Sequence, residues 1–226
     1  MELIAGNTAF STWSLRPWLV LKRCNARFDM RVVQLYGDGY KEALAKVTPS
    51  GKVPLLIVDG EAIWDSLAIC LWAEEAYPDA KLWPSDPTAR ALARSVTCEM
   101  HSAFGGLRSE CGMGPDGQGV IHTMVGPDRA PAPASEAVAA DVRRLVEIFG
   151  GMRQRFAAAG PWLFGEWSVA DAFFTPVATR IRHYQIDLAA HGDDGTAQAY
   201  VEALLNHPDF LEWTEMGLKE LVPPKE

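Results

Sequence analysis

Residues 1–24 read MELIAGNTAFSTWSLRPWLVLKRC, and the order of elements they imply decides the fold. Residues 2–6, ELIAG, have the short apolar run of a strand. Leu15, Trp18, Leu19 and Lys22 then recur at helical spacing, with Pro17 tolerated inside the first turn. The order is strand, loop, helix. Just ahead of the helix stand three hydroxyl residues, Ser11, Thr12 and Ser14, where a helix start requires only one cap. Continuing outward, FDMRVVQL (28–35) alternates as a second strand and YKEALAKV (40–47) forms a short helix. PLLIV (54–58), DGE (59–61) and AIW (62–64) make a hairpin around an Asp-Gly turn. DSLAICLWAEEAY (65–77) is a helix stopped by Pro78. The resulting βαβαββα module predicts a four-stranded mixed sheet flanked by helices.

Beyond residue 78 the composition changes. PDAKLWPSDPTAR (78–90) carries three prolines and reads as a linker, and no strand-like run follows it. We therefore expect an α/β protein with an N-terminal domain over 1–78, a linker over 79–86 and an all-α helical domain over 87–226. Helices are expected at 87–111, 135–159, 168–186, 194–206 and 208–220. The Gly/Pro-rich residues 112–135 show no pattern and are expected to be loop.

A chain of 226 residues with 48% hydrophobic composition can bury a core without disulfides or metals. Its 21 Lys and Arg against 29 Asp and Glu give a net charge of −8, and no basic stretch could track a phosphate backbone. Nucleic acid is therefore not an expected partner. No run of 18 apolar residues exists and MELIAGNTAF lacks a basic leader, so we expect a cytoplasmic protein without a membrane partner. Cys24, Cys70, Cys98 and Cys111 are widely spaced and five histidines do not cluster, so free thiols and no metal site are expected.

Three further stretches narrow the reading: SGKVPLL (50–56), WDSLAI (64–69) and GEWSVADAFF (165–174). In that combination and order the chain resembles the glutathione S-transferases over nearly its whole length, and STWSLRPW is similar to the serine-bearing opening of zeta-class and related bacterial members. The resemblance implies a thioredoxin-like first domain and glutathione as co-substrate. It places on Ser11 the hydroxyl that donates to the glutathione sulfur. Thr12 becomes a second donor or a support, and Trp13 a shield for the sulfur or a wall of the electrophile pocket. Ser14 is left as the helix cap.

Val53-Pro54 resembles the cis-proline turn at which the residue before proline offers its N–H and C=O to glutathione, although a Val-Pro pair alone reads as an ordinary trans proline at a strand start. Asp65 and Ser66 can simply cap the next helix. The same helix N-terminus also seats a γ-glutamyl carboxylate, with Asp65 on the amine. Lys52 pairs with a glutathione carboxylate or is a solvated loop lysine. Ser168 and Asp171 form a capping box, a stability device of roughly 0.5–2 kcal/mol rather than a catalytic site.

The electrophile pocket is harder to read. The helical domain is expected to form it, with Phe10, His101, Phe104 and Arg108 as candidates, the last three facing one way on a single helix; for those three, packing (His101, Phe104) or an ion pair (Arg108) is a better account than substrate contact. The zeta class holds a substrate carboxylate with an arginine late in the helix after the capping box. Here His183 falls at that position, with Arg180 and Arg182 nearby.

A thiol pKa lowered from about 8.5 to about 6.5 raises the thiolate fraction roughly tenfold at neutral pH. A Brønsted slope of about 0.4–0.5 returns much of that gain, so positioning must supply most of the rate. The sequence thus predicts a homodimeric glutathione transferase acting on a small hydrophobic electrophile. The alternatives are a glutathione-dependent cis-trans isomerase and a non-catalytic binding module, and a peroxidase side activity needs only the same thiolate. No cysteine stands in STWS, which argues against thiol reductase chemistry.

Overall fold

The computed structural model describes residues 1–156 and 160–221. The chain divides into two compact units. Among the described residues the first contains 1–80, 113–126 and 212–221; the second contains 81–112 and 127–211.

The first unit opens with β1 (Glu2–Gly6), α1 (Thr12–Arg23), β2 (Asp29–Val33), α2 (Tyr40–Val47), β3 (Leu55–Val58), β4 (Glu61–Ile63) and α3 (Ser66–Ala76). The expected βαβαββα order is therefore present. The sheet order is β2-β1-β3-β4, with β1 parallel to β2 and antiparallel to β3. β1 is the central strand, and Leu3, Ile4 and Ala5 are fully buried, as a strand covered on both faces requires. Leu15 and Leu19 of α1 and Ile69, Cys70 and Ala73 of α3 complete this core. The β3–β4 hairpin turns on Asp59 and Gly60, both at positive φ (51° and 89°), as a primed two-residue turn demands.

α1 starts earlier than its apolar spacing suggests. It begins at Thr12, so Pro17 lies in the second turn, where its missing N–H falls opposite the carbonyl of Trp13.

The later segments of this unit lie in the region expected to be loop and helical domain. Residues Gly114–Pro115 (β5) and Ile121–His122 (β6) pair antiparallel. Asp116 organises the intervening turn by accepting from the N–H groups of Gln118 and Val120, both at 2.8 Å. Met124 N–H donates to Ala9 O at 2.8 Å, which ties the segment to the β1–α1 loop. The C-terminal helix, α9 (Pro208–Leu221), ties in through fully buried Trp213, whose ring meets Trp18 edge-on at 5.2 Å. Long-range pairing thus carries both segments to the sheet domain, which local pattern could not reveal.

Among the described residues the second unit is built from helices: α4 (Pro87–Ser102), α5 (Gly105–Glu110), α6 (Glu136–Phe156), α7 (Val169–His183) and α8 (Thr196–Leu205), with α9 (Pro208–Leu221) beginning at its end. The single helix expected over 87–111 is broken, because Phe104 adopts the left-handed conformation (φ 60°) between α4 and α5. Residues 157–159 of the helix expected over 135–159, and residues 222–226 of the expected helical domain, lie outside the described residues. Phe149 of α6 forms the centre of the core, with Phe174 at 5.0 Å and Tyr200 at 4.8 Å, both edge-on.

Asp171 at the start of α7 is fully buried and accepts four hydrogen bonds. They come from Ser168 N–H (2.7 Å), Ser168 O–H (3.0 Å), Leu163 N–H (3.0 Å) and Tyr200 O–H (2.8 Å). In the capping box the Ser168 hydroxyl therefore also donates to the carboxylate. Burial pushes the Asp171 carboxyl up, against the downward pull of those bonds. No helix among the described residues is long and apolar enough to cross a membrane.

Candidate functional site

The sheet domain holds a cavity of about 650 Å³. Its lining brings together Trp13, Lys52, Val53, Pro54, Asp65 and Ser66, six of the eight residues singled out from sequence in this domain's binding site. They arrive from three pieces of the fold. Trp13 stands in the first turn of α1; Lys52, Val53 and Pro54 form the entry to β3; Asp65 and Ser66 open α3. The Val53–Pro54 bond is cis, as the resemblance implied.

Ser66 and Asp65 divide the work at the α3 N-terminus. Asp65 is the N-cap, and its Oδ1 accepts from Leu67 N–H (3.0 Å) and Ala68 N–H (3.4 Å). Ser66 is fully buried, lines the cavity, and its Oγ has no hydrogen-bond partner among the described residues. An unpaired buried hydroxyl costs roughly 1–3 kcal/mol, so its presence beside a helix N-terminus fits a ligand oxygen that satisfies it. Lys52 is exposed at the cavity edge and supplies a positive charge.

The STWS run is arranged differently from expectation. Ser11, not Ser14, is the N-cap of α1, and its side chain makes no capping bond. Ser11 Oγ is instead joined to Ser14 Oγ at 2.8 Å, and Ser14 Oγ accepts from Gly6 N–H at 3.0 Å. Ser14 is thus a cross-link from helix to central strand. The physical reason is the early helix start: with Thr12 already helical, Ser14 faces inward and is fully buried. Ser11 and Thr12 are each 5% exposed. Glycine suits this junction, because an added Cβ at Gly6 would crowd the Leu35 side chain and stand 3.0 Å from Ser11 Oγ.

The cavity also has a wall that sequence reasoning missed. Tyr36 and Tyr40 line it, with ring centroids 6.0 Å apart, and Phe10 packs on Tyr36 at 5.4 Å. Tyr36 takes φ 68° in the stretch LYGDGY, where two tyrosines bracketing a Gly-Asp-Gly turn were the available signal.

The candidates in the second unit have tasks within that unit. Arg108 donates through Nε to Ala103 O (2.8 Å) and through Nη2 to the carbonyls of Met100 and His101 (3.0 Å to the latter), so it caps the end of α4. Phe104 is buried at the α4–α5 break, and the His101 ring lies 6.0 Å from Phe173. The helical i, i+7 relation expected of His101 and Arg108 does not hold across that break. Arg180 is buried and donates to Cys111 O (3.0 Å) and Pro176 O (3.2 Å), and burial pulls its guanidinium down to about 10. His183 is 3% exposed and its main-chain carbonyl accepts from Ala130 N–H.

Among the described residues no group of three or more His, Cys, Asp or Glu is placed to hold a metal ion. A second hollow of about 710 Å³ in the helical unit, between Arg143, Arg153, His191 and Asp194, contains none of the residues singled out from sequence.

Residues 10–76 match the family described as glutathione S-transferase, N-terminal domain. A probable maleylacetoacetate isomerase of Caenorhabditis elegans is 40% identical over 86 residues, which span 38% of this chain and 39% of that protein. The maleylacetoacetate isomerase of Rattus norvegicus is 27% identical over 184 residues, spanning 80% of this chain and 77% of its own. Among solved structures, a glutathione transferase homolog from Burkholderia with bound glutathione superposes with a TM-score of 0.70 at 23% identity, covering 96% of this chain and 98% of that one. That likeness is one of fold.

Proposed function

The chain belongs to the glutathione S-transferase superfamily, and from that premise we propose that it binds glutathione in the sheet-domain cavity and transfers its thiolate sulfur to a small hydrophobic electrophile. The observation that carries this reading is the buried, unpartnered Ser66 hydroxyl at the N-terminus of α3, in the same cavity as Lys52, Val53 and Pro54. In this assignment Ser66 and the α3 amides receive the γ-glutamyl carboxylate, Asp65 faces the amine, and the Val53 backbone pairs with the cysteinyl main chain.

Ser11 donates to the sulfur. Its proton is available when Ser14 is the donor within the Ser11–Ser14 pair. Ser14 can take that role while its own oxygen accepts from Gly6 N–H. A hydroxyl donor and the α1 N-terminus both favour thiolate over thiol. The new C–S bond then forms as the electrophile's leaving group departs with the bonding pair. Trp13 and Tyr36 wall the cavity. On the family resemblance we also read the protein as a cytoplasmic homodimer acting in detoxification.

Turnover of a chlorinated nitroaromatic with glutathione tests this reading. Ser11→Ala is expected to retain glutathione binding and lose about tenfold in kcat, a few-fold of it from thiolate stabilisation net of nucleophilicity and the rest from positioning of the sulfur. A wild-type protein that binds glutathione but fails to react with any such electrophile would overturn the transferase assignment.

A second reading is favoured by the relatives that carry the name maleylacetoacetate isomerase. In it the same thiolate adds reversibly to a cis double bond, bond rotation follows, and the thiolate is expelled. A cationic group is needed for the substrate carboxylate, and the hydrogen bonds of Arg180 to Cys111 O and Pro176 O disfavour that residue for the role. Assaying a cis-dienoic diacid beside the nitroaromatic separates the two.

A further inference from the structure

The loop between β1 and α1, residues 7–11, carries Ser11 into place and is held by groups more than a hundred residues away. Its own turn is set by Asn7, whose carbonyl accepts from Phe10 N–H (3.3 Å) and Ser11 N–H (2.8 Å). The Asn7 side chain anchors it to the end of β2, accepting from Leu35 N–H (2.7 Å) and donating to Gln34 Oε1. These contacts leave the N–H groups of Thr8 and Ala9, both residues being 1% exposed, to be satisfied from elsewhere.

They are satisfied by one carboxylate. Glu220, near the end of α9, accepts from Thr8 N–H through Oε1 (3.1 Å) and from Ala9 N–H through Oε2 (3.4 Å). The helix is brought close by a glycine: an added Cβ at Gly217 would stand 3.0 Å from Ala9 Cα and 3.1 Å from Ala9 N. The Trp18–Trp213 pair and the Lys22–Glu212 ion pair dock the start of the same helix on α1. From the other side Met124 N–H donates to Ala9 O.

We infer that Glu220 is a positioning residue for the reaction: by gripping the Thr8 and Ala9 amides it fixes where the Ser11 hydroxyl points, and so sets how strongly the bound thiol is ionised. The inference rests on Ser11 being the group that donates to sulfur. A carboxylate gripping two adjacent amides restrains both the height and the tilt of the loop, whereas a single neutral acceptor restrains less. Displacement of a reacting group by about 1 Å can cost on the order of a hundredfold in rate. Losing one of several restraints on this loop should cost less than removing Ser11 itself, about threefold.

The test compares wild type, Glu220→Ala, Glu220→Gln, Ser11→Ala and Glu212→Gln in the full chain. The readouts are kcat, the KM for glutathione, the pH dependence of thiolate absorbance of bound glutathione, and thermal midpoint. Glu220→Ala is expected to lower kcat about threefold, less than Ser11→Ala, and raise the pH at which the bound thiol ionises, with the KM for glutathione within about twofold of wild type. Glu220→Gln, which keeps one acceptor, should recover part of both effects and serves in place of the alanine variant if that fails to fold. Glu212→Gln, which removes an exposed ion pair on the same helix, should leave catalysis unchanged.

Unchanged ionisation and kcat in both Glu220 variants, with Ser11→Ala impaired, would overturn the inference while leaving the role of Ser11 standing. Equal losses in Glu212→Gln would also overturn it, because helix docking in general would then be responsible. If Ser11→Ala itself keeps full activity, the assignment of Ser11 falls and the inference falls with it.

Discussion

The smallest unit of this account is the hydroxyl of Ser11, and what decides its chemistry is its neighbour at Ser14. Three hydroxyls ahead of a helix read naturally as one donor, one cap and one support. The structure instead spends Ser14 on Gly6 N–H and the Ser11 hydroxyl, and leaves the side-chain cap of α1 unmade. Ser14→Ala therefore strands the Gly6 N–H in the core and removes the partner of Ser11. We expect a loss of about 1–3 kcal/mol in stability together with a raised ionisation pH for bound glutathione, read by chemical denaturation and by thiolate absorbance. A destabilised variant with normal thiol ionisation would limit Ser14 to a structural role. At this scale the sequence was legible where a motif carries its own geometry, as at Val53-Pro54 and Asp65-Ser66. It was illegible at Glu220, whose partners Thr8 and Ala9 lie at the other end of the chain, and faint at Tyr36 and Tyr40, marked only by the Gly-Asp-Gly turn between them.

Among the elements, α7 shows how a short motif organises a core. The Ser168–Asp171 box was readable because capping is an i, i+3 matter. That Asp171 also takes Leu163 N–H and Tyr200 O–H was not, since both depend on tertiary packing. Asp171→Ala leaves four donors without an acceptor, two of them main-chain amides, and should cost at least about 3 kcal/mol. In a chain of this size that lowers the thermal midpoint by on the order of 10 °C. Because burial raises the Asp171 carboxyl in the folded state, its proton-linked contribution is present below the ordinary aspartate range. That contribution is lost as pH rises through the raised value. Asp171→Asn should remove that slope from the acid side of the stability profile, and an unaltered slope would show the carboxylate to be fully compensated by its four donors. The helix expected over 87–111 failed for a related reason: its apolar pattern continues across residue 104 while the backbone does not.

At the scale of the whole molecule, sequence order and spatial grouping part company. The alternation of strand and helix up to residue 77 is local and was legible, but residues 113–126 and the end of α9 join the sheet domain through pairings that span more than a hundred residues. The four thiols report on the same packing. Burial holds Cys24 and Cys111 up at about 11 and raises Cys70 further, whereas Cys98 is exposed. At neutral pH Cys98 should react first with a thiol reagent, half-buried Cys24 more slowly, and buried Cys70 and Cys111 only on unfolding; mass spectrometry of timed samples checks this, and labelling of Cys70 or Cys111 in the folded protein at the rate of Cys98 would contradict the packing described. The central claim, that the cavity seats glutathione with Ser66 on its γ-glutamyl carboxylate, is tested most directly by calorimetric titration of glutathione into wild type and Ser66→Ala. Saturable one-site binding to wild type is expected, with an affinity at least about tenfold weaker in the variant, the worth of one hydrogen bond to a charged group. No binding to wild type, or equal binding to both proteins, would contradict it.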